Sequence, residues 1–322
     1  MALLKQHPPK IDVVELFTEN AGIFTRMSDP DVVAAIQHAN HLYLYWDQFR
    51  YRPMPEGITP KQLWGYLHFQ RRLNQRPVVL TDTQGRPFTY WLPDRVLQIL
   101  NKIDRWSGET IGTDQPGGLP PRERYVISSL MEEAIASSQL EGAATTRQMA
   151  KQMLRSGRKP RNHHEQMIYN NWITVQYLRA NRAMRLTPES LCEIHAMITE
   201  ETMKDPKDSG RIRTRDDIVV DYCGETVHHP PPSMLLPQRV EALCDFANND
   251  EQDRWIHPVI KATILHFWIG YDHPFVDGNS RTARAIFYWY LLSRGYWLFR
   301  IFVYLTIFFT STIAICPSIL VH

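Results

Sequence analysis

The chain has 322 residues, 43% hydrophobic and 22% charged, which is normal for a soluble globular protein and enough for two domains of ordinary size. Its formal net charge of +2 excludes bulk electrostatic affinity for nucleic acid, so no direct nucleic-acid binding is expected. Cys192, Cys223, Cys244 and Cys316 are scattered without a CxxC pair. That argues against a disulfide framework or a cysteine zinc site and suits a reducing cytoplasm. The start, MALLKQHPPKIDVVE, lacks the basic region and apolar run of a signal peptide.

Residues 1–110 alternate helical signals with proline-rich breaks. TPKQLWGYLHFQRRLNQ (59–75) opens with Thr59 as an N-cap and Pro60 at the first helical position. TDTQGRPFTYW (81–91) reads as a glycine turn with a short strand on either side, and DRVLQILNKIDRW (94–106) as a helix with Val96, Ile99, Leu100 and Ile103 in register. GTDQPGGLPP (112–121) is the clearest linker. A largely helical block follows. RERYVISSLMEEAIASSQLEG runs to a Gly142 cap, and TTRQMAKQMLRSG and HHEQMIYNNWITVQYLRANRAM flank a basic loop, GRKPRN. Thr187 with Glu189–Ser190 forms a capping box.

DDIVVDYCGETVHHPPP (216–232) breaks the helical pattern, and its two short β runs around Cys223-Gly224 predict a hairpin closed off by prolines. His228 and His229 lack spaced metal-ligand partners and are read as hairpin surface. SMLLPQRVEALCDFAN and HPVIKATILHFWIGY are helical again. The last stretch is abnormal, because residues 301–322 contain no Asp, Glu, Lys or Arg. IFVYLTIFFTSTIAICPSIL is long enough to cross a bilayer, with Arg294 and Arg300 keeping the body of the protein on the cytoplasmic side. A buried helix, or a tail substituted through an altered reading frame, fits the same composition. Membrane contact is expected only if this tail is an anchor.

The densest chemistry lies in HPFVDGNSRTAR (273–284). Helical spacing resumes after Asn279, with Ala283, Phe287 and Tyr290–Leu291 on one apolar face and Gly295 as terminator. HPFVDGN is therefore a loop entering a helix N-terminus, where unpaired N–H groups and the helix dipole make an anion site. Gly278 allows close backbone approach, and Arg281 and Arg284, three apart, suit two phosphates of a polyphosphate. Asp277 is placed to help hold Mg²⁺, which takes few carboxylates and completes its shell with phosphate and water. His273, mostly neutral near pH 7, is the candidate base.

This stretch closely resembles the Fic-family signature, HPFx(D/E)GNGRxxR. His273, Pro274, Phe275, Asp277, Gly278, Asn279, Arg281 and Arg284 match, and Ser280 departs where the family usually has Gly. A serine keeps the backbone N–H, and the anion hole survives if its φ is negative. SSQLEG (137–142) is similar to the family's inhibitory pattern, (S/T)xxxE(G/N), through Ser137, Glu141 and Gly142. The resemblance implies a mainly α fold: a Fic helical core with a β-hairpin flap, preceded by a mostly helical N-terminal domain. It also implies a cytoplasmic protein adenylyltransferase that moves AMP from ATP, with Mg²⁺, to a Ser, Thr or Tyr hydroxyl of a target protein.

On that resemblance His273 deprotonates the hydroxyl, Phe275 anchors the loop and Asp277 holds Mg²⁺. Gly278, Asn279 and Ser280 line the anion hole, Arg281 meets the inner phosphates and Arg284 the γ-phosphate. Glu141 inhibits by occupying Arg284, the target docks on the flap near 216–232 as an added strand, and a homodimer is common among relatives. His266 is read as packing. The implied boundaries are an N-terminal domain at 1–118, an inhibitory helix region at 119–160, a Fic core at 161–296 and the uncharged tail at 297–322. De-AMPylation, in which the same glutamate positions a water, and a non-catalytic nucleotide-binding regulator are the alternatives.

Overall fold

The computed structural model describes residues 8–9, 21–108, 122–222, 225–249 and 255–296. The linker at 112–121, Cys223, Cys316 and the tail at 301–322 lie outside them. Among the described residues no helix is long and apolar enough to cross a membrane. Two compact units are present, the first running to Ile103 and the second beginning at Asp104.

In the first unit, α1 (Ala21–Thr25), α2 (Pro30–His41), α3 (Trp46–Phe49) and α4 (Pro60–Leu73) precede an antiparallel pair, β1 (Arg76–Thr81) and β2 (Pro87–Tyr90), and α5 (Asp94–Gly108) begins. Thr59 caps α4 in a full capping box with Gln62. The strand before the Gly85 turn starts at Arg76, five residues earlier than the sequence predicted, because the β-branched run of PVVLT extends the pairing upstream. Val32, Ile36, Phe49, Leu63 and Leu67 form the core. Buried Arg71 caps the end of α2 by donating to Ala39 O and Leu44 O, and its guanidinium lies over the Tyr43 ring.

Among the described residues, the second unit is helical apart from one hairpin. Its elements are α6 (Arg122–Leu140), α7 (Arg147–Ser156), α8 (His163–Ala180), α9 (Pro188–Thr199), β3 (Val220–Tyr222), β4 (Glu225–His228), α10 (Leu236–Asn248), α11 (Pro258–Asp272) and α12 (Asn279–Ser293). Thr187 and Ser190 form the predicted box at the start of α9. Helix α12 is the centre, packed against α11, α8, α9 and α6. Every residue from Arg281 to Leu292 is buried, so α12 has no solvent face. The single apolar face predicted for it is too narrow, because the AIFYWYLL run leaves no polar stripe. A helix buried on all sides fixes whatever loop leads into it.

Candidate active site

Helix α11 ends on His273, which adopts the left-handed conformation (φ 46°, ψ 57°) and turns the chain out of the helix. A non-glycine residue there is strained and needs outside support. Five residues later Gly278, at φ 79°, starts α12. A Cβ on Gly278 would lie 2.7 Å from Thr199 Cγ2 and 3.2 Å from His195 Nε2, so only glycine fits.

Between these two turns Phe275 is fully buried. The Asn279 side chain brackets it, accepting from Phe275 N (2.9 Å) and donating to Phe275 O (2.8 Å). The His195 ring stacks on Phe275 at 3.8 Å and 7°. His195 Nδ1 accepts from Gly210 N, so Nε2 carries the proton and donates to Asp277 O at 2.8 Å. Burial pushes the His195 pKa down to about 4, which keeps that tautomer neutral. Phe275→Ala is expected to destabilise the protein by about 3–5 kcal/mol in urea denaturation. A loss under about 1 kcal/mol would show that the loop does not depend on this plug.

His273 and residues 276–280 line a cavity of about 350 Å³, together with Glu141 and the flap residues Asp217, Ile218 and Val219. Ser280 is the second residue of α12 and lies outside the positive-φ set, so its N–H belongs to the open first turn. Asp277 Oδ1 accepts from Gly278 N at 2.6 Å, and its side chain lies at the surface of the cavity. His273 Nδ1 is 3.4 Å from Gly270 O, which leaves Nε2 as the acceptor. Burial lowers the His273 pKa below the ordinary histidine value, so the ring is neutral at pH 7.

The two arginines lie deeper and do not line this cavity. Arg281 is buried and donates from Nη1 to Ile198 O at 3.1 Å. Arg284 donates from Nη2 to Glu141 Oε1 at 2.8 Å, from Nε to Ser137 Oγ at 2.7 Å, and again from Nη2 to Ser137 O at 3.2 Å. Ser137 and Glu141 are thus joined to Arg284 across 143 or more residues of sequence, with Gly142 (φ 89°) ending the turn that carries Glu141. Asn171 of α8 pins α6 in place by donating to Ser138 Oγ at 2.7 Å. His266 packs edge-on to Phe287, and its pKa is pushed down to about 4 by burial and by Arg284.

Two turns before Glu141 on α6, Glu133 is buried beside Arg284 and faces the Tyr288 hydroxyl. Burial raises its pKa from 4.5 to about 7. An acid whose pKa is higher in the folded state loses stability as pH rises, here between about 4.5 and 7. Relative to the unaltered chain, Glu133→Gln is therefore expected to gain up to about 3 kcal/mol in unfolding free energy from pH 5 to 8. Parallel stability curves for the two proteins would refute this.

The hairpin forms as predicted, with Val220 opposite His228 and Asp221 opposite Thr226. His228 is not simple hairpin surface. It is half-buried, packed against the Tyr271 ring at 4.7 Å with the planes tilted by 37°, and its Nε2 bonds Tyr271 O at 2.7 Å. His229 is exposed. Among the described residues no group of three or more His, Cys, Asp or Glu is placed to hold a metal ion.

A helical domain built on a left-handed histidine, a phenylalanine-plugged loop and an open helix N-terminus is the class defined here. Residues 185–291 match the family model described as Fic/DOC family, so a Fic domain occupies this part of the chain. The protein adenylyltransferase Fic of Nematostella vectensis is 24% identical over 207 residues, covering 62% of this chain and 45% of that protein. The protein adenylyltransferase Fic of Drosophila grimshawi is 28% identical over 178 residues, covering 54% and 34%. The chain spans less than half the length of these curated relatives. Among solved structures, a variant of Fic-1 from C. elegans superposes with a TM-score of 0.55 at 17% identity, over 84% of this chain and 71% of that one. A Fic domain containing signaling protein from Bacteroides thetaiotaomicron gives 0.50 at 21% identity, over 62% and 73%. These structural likenesses confirm the mainly α Fic fold.

Proposed function

We propose that this chain is a protein adenylyltransferase held in an inhibited state by Glu141. The observation that carries this reading is the shared cavity. A neutral histidine, an open helix N-terminus and an accessible carboxylate line one space beside an exposed hairpin. Similarity to adenylyltransferases supports ATP as the donor. In this reading His273 Nε2 takes the proton of a Ser, Thr or Tyr hydroxyl. The oxygen attacks the α-phosphorus of ATP, a P–O bond to AMP forms, and the bond to pyrophosphate breaks. The backbone N–H groups of Asn279 and Ser280 receive phosphate oxygens. Arg281 meets the inner phosphates through donors other than the Nη1 bonded to Ile198, and Arg284 meets the γ-phosphate once Glu141 releases it.

A Mg²⁺ ion brought in with the phosphates would be held by Asp277. Its Oδ1 is engaged by Gly278 N while its side chain faces the cavity, and a single carboxylate is a common protein share of a phosphate-bound Mg²⁺. Such an ion would neutralise charge developing on the phosphates. The target would dock along the stretch 217–221, which leads into β3, is exposed or half-exposed throughout and offers backbone partners. The inhibitory region at 119–160 and the core at 161–296 act as one unit, and Cys192 and Cys244 are free thiols, in keeping with a cytoplasmic location.

Mass spectrometry of lysate proteins incubated with the Glu141→Gly chain and ATP tests the reading. Proteins gaining AMP on a hydroxyl support it, and no gain contradicts it. A second reading, removal of AMP, is favoured by one observation: Glu141 lines the same cavity as His273 and can orient a water there. Release of AMP from a modified target by the unaltered chain, but not by Glu141→Gly, would identify that direction.

A further inference from the structure

The backbone of the catalytic loop is held by a residue that the chemistry above does not use. Arg213 lies between α9 and the flap and is 4% exposed. Its backbone N donates to Pro274 O at 2.9 Å, its Nε to His273 O at 2.8 Å, and its Nη2 reaches Asp272 O at 3.5 Å. The same Nη2 donates to Pro231 O at 2.6 Å, at the far end of the flap. Nη1 donates to Arg215 O at 2.8 Å and to Asp216 Oδ1 at 3.3 Å, at the near end. Asp216 Oδ1 also accepts from Ser233 N at 2.6 Å. The guanidinium thus ties Asp272 and His273 to both ends of the hairpin, and the backbone N of the same residue adds Pro274.

Two facts make this more than ordinary packing. His273 is a non-glycine residue in the left-handed region, so its conformation depends on what holds its carbonyl. Hydrogen bonding continues on either side. His228 of the flap bonds Tyr271 O, and His195 holds Asp277 O. The flap is therefore attached to the loop at Tyr271 through His228 and at His273 and Pro274 through Arg213.

We propose that Arg213 is a positioning residue that fixes His273 in its left-handed conformation and ties that conformation to both ends of the flap. Docking a target on the flap then brings its hydroxyl to a base already in register. The proposal deepens the adenylyltransferase reading and rests on it for its kinetic consequence. A lysine keeps the charge, but its single ammonium cannot reach His273 O and Pro231 O together in place of the fork.

The test uses Arg213→Lys in the full chain carrying Glu141→Gly. The rate of AMP transfer is divided by the fraction of molecules that bind ATP, taken from calorimetric stoichiometry. The expected result is a roughly 10- to 100-fold fall in this normalised kcat, because misplacement of a reacting group by about 1 Å is enough for such a loss. The Kd for ATP is expected to stay within about threefold, since the helix N-terminus is untouched. A merely structural role would lower the binding fraction and leave the normalised kcat unchanged, and that result overturns the proposal.

Amide hydrogen exchange reads the same tie without any activity. Protection in the 271–277 loop and at 216–222 and 226–231 is expected to fall together, and unchanged protection in both overturns the proposal. If the Glu141→Gly parent itself transfers no AMP, the functional reading fails while the exchange result still decides the role of Arg213. Asp216→Asn, at an exposed side chain, is the milder second variant. It is expected to move both readouts in the same direction by a smaller factor, and no change in either counts against the proposal.

Discussion

The Glu141→Gly chain is expected to incorporate AMP at a rate roughly 10- to 100-fold above that of the unaltered chain, because a charge-assisted hydrogen bond contributes about 1.5–3 kcal/mol. Glu141 Oε1 sits 2.8 Å from Arg284 Nη2, and the arginine side chain is only 11% exposed, so the pair is shielded from water on the arginine side. Glycine removes that carboxylate and leaves the rest of the contact. Arg284 keeps its bonds to Ser137 Oγ and Ser137 O, and α6 keeps its Asn171–Ser138 pin. The guanidinium then stays in place with one donor free for a γ-phosphate. Glycine also suits a turn where the next residue already adopts φ 89°. An unchanged or lower incorporation by Glu141→Gly would remove autoinhibition from the account.

His273→Ala is expected to reduce transfer by about 10²–10⁴-fold, the usual contribution of a general base. Alanine at φ 46° leaves backbone strain similar to that already present at the left-handed histidine, and the Arg213 bond to the residue 273 carbonyl can persist. ATP binding should therefore change little while transfer collapses, which separates loss of the base from loss of the fold. With burial lowering the His273 pKa, the rate on the acid side should fall only below the ordinary histidine value near 6.5. A His273→Ala protein that still transfers AMP at a comparable rate would exclude histidine as the base.

Much of this site was legible because its parts are close in sequence. HPFVDGNSRTAR supplies the helix-entry loop, the glycine that only a positive φ explains, and the phenylalanine plug within a few residues. The contact of Ser137 and Glu141 with Arg284 was legible only through resemblance, since nothing in SSQLEG itself specifies an arginine more than 140 residues away. His195 was missed for a physical reason. A histidine in the apolar run of α9 looks like core, and its role appears only when Phe275 stacks on it and Asp277 O accepts its proton. Arg213 was invisible for the same reason, as its partners are backbone carbonyls, which sequence does not mark. Glu133 carries no signal in the sequence that sets it apart from its neighbour Glu132. The burial of Glu133 follows from its place on α6, on the side turned toward Arg284 and Tyr288 of α12, while neighbouring Glu132 stays partly exposed.

The most direct test of the central claim is transfer from ATP labelled on the α-phosphate, compared with ATP labelled on the γ-phosphate. Both are incubated with a target lysate and either Glu141→Gly or the Glu141→Gly/His273→Ala double variant. The account predicts protein-bound α-label with Glu141→Gly, little α-label with the double variant, and no γ-label with either. Protein-bound γ-label, or α-label that survives the loss of His273, would contradict it.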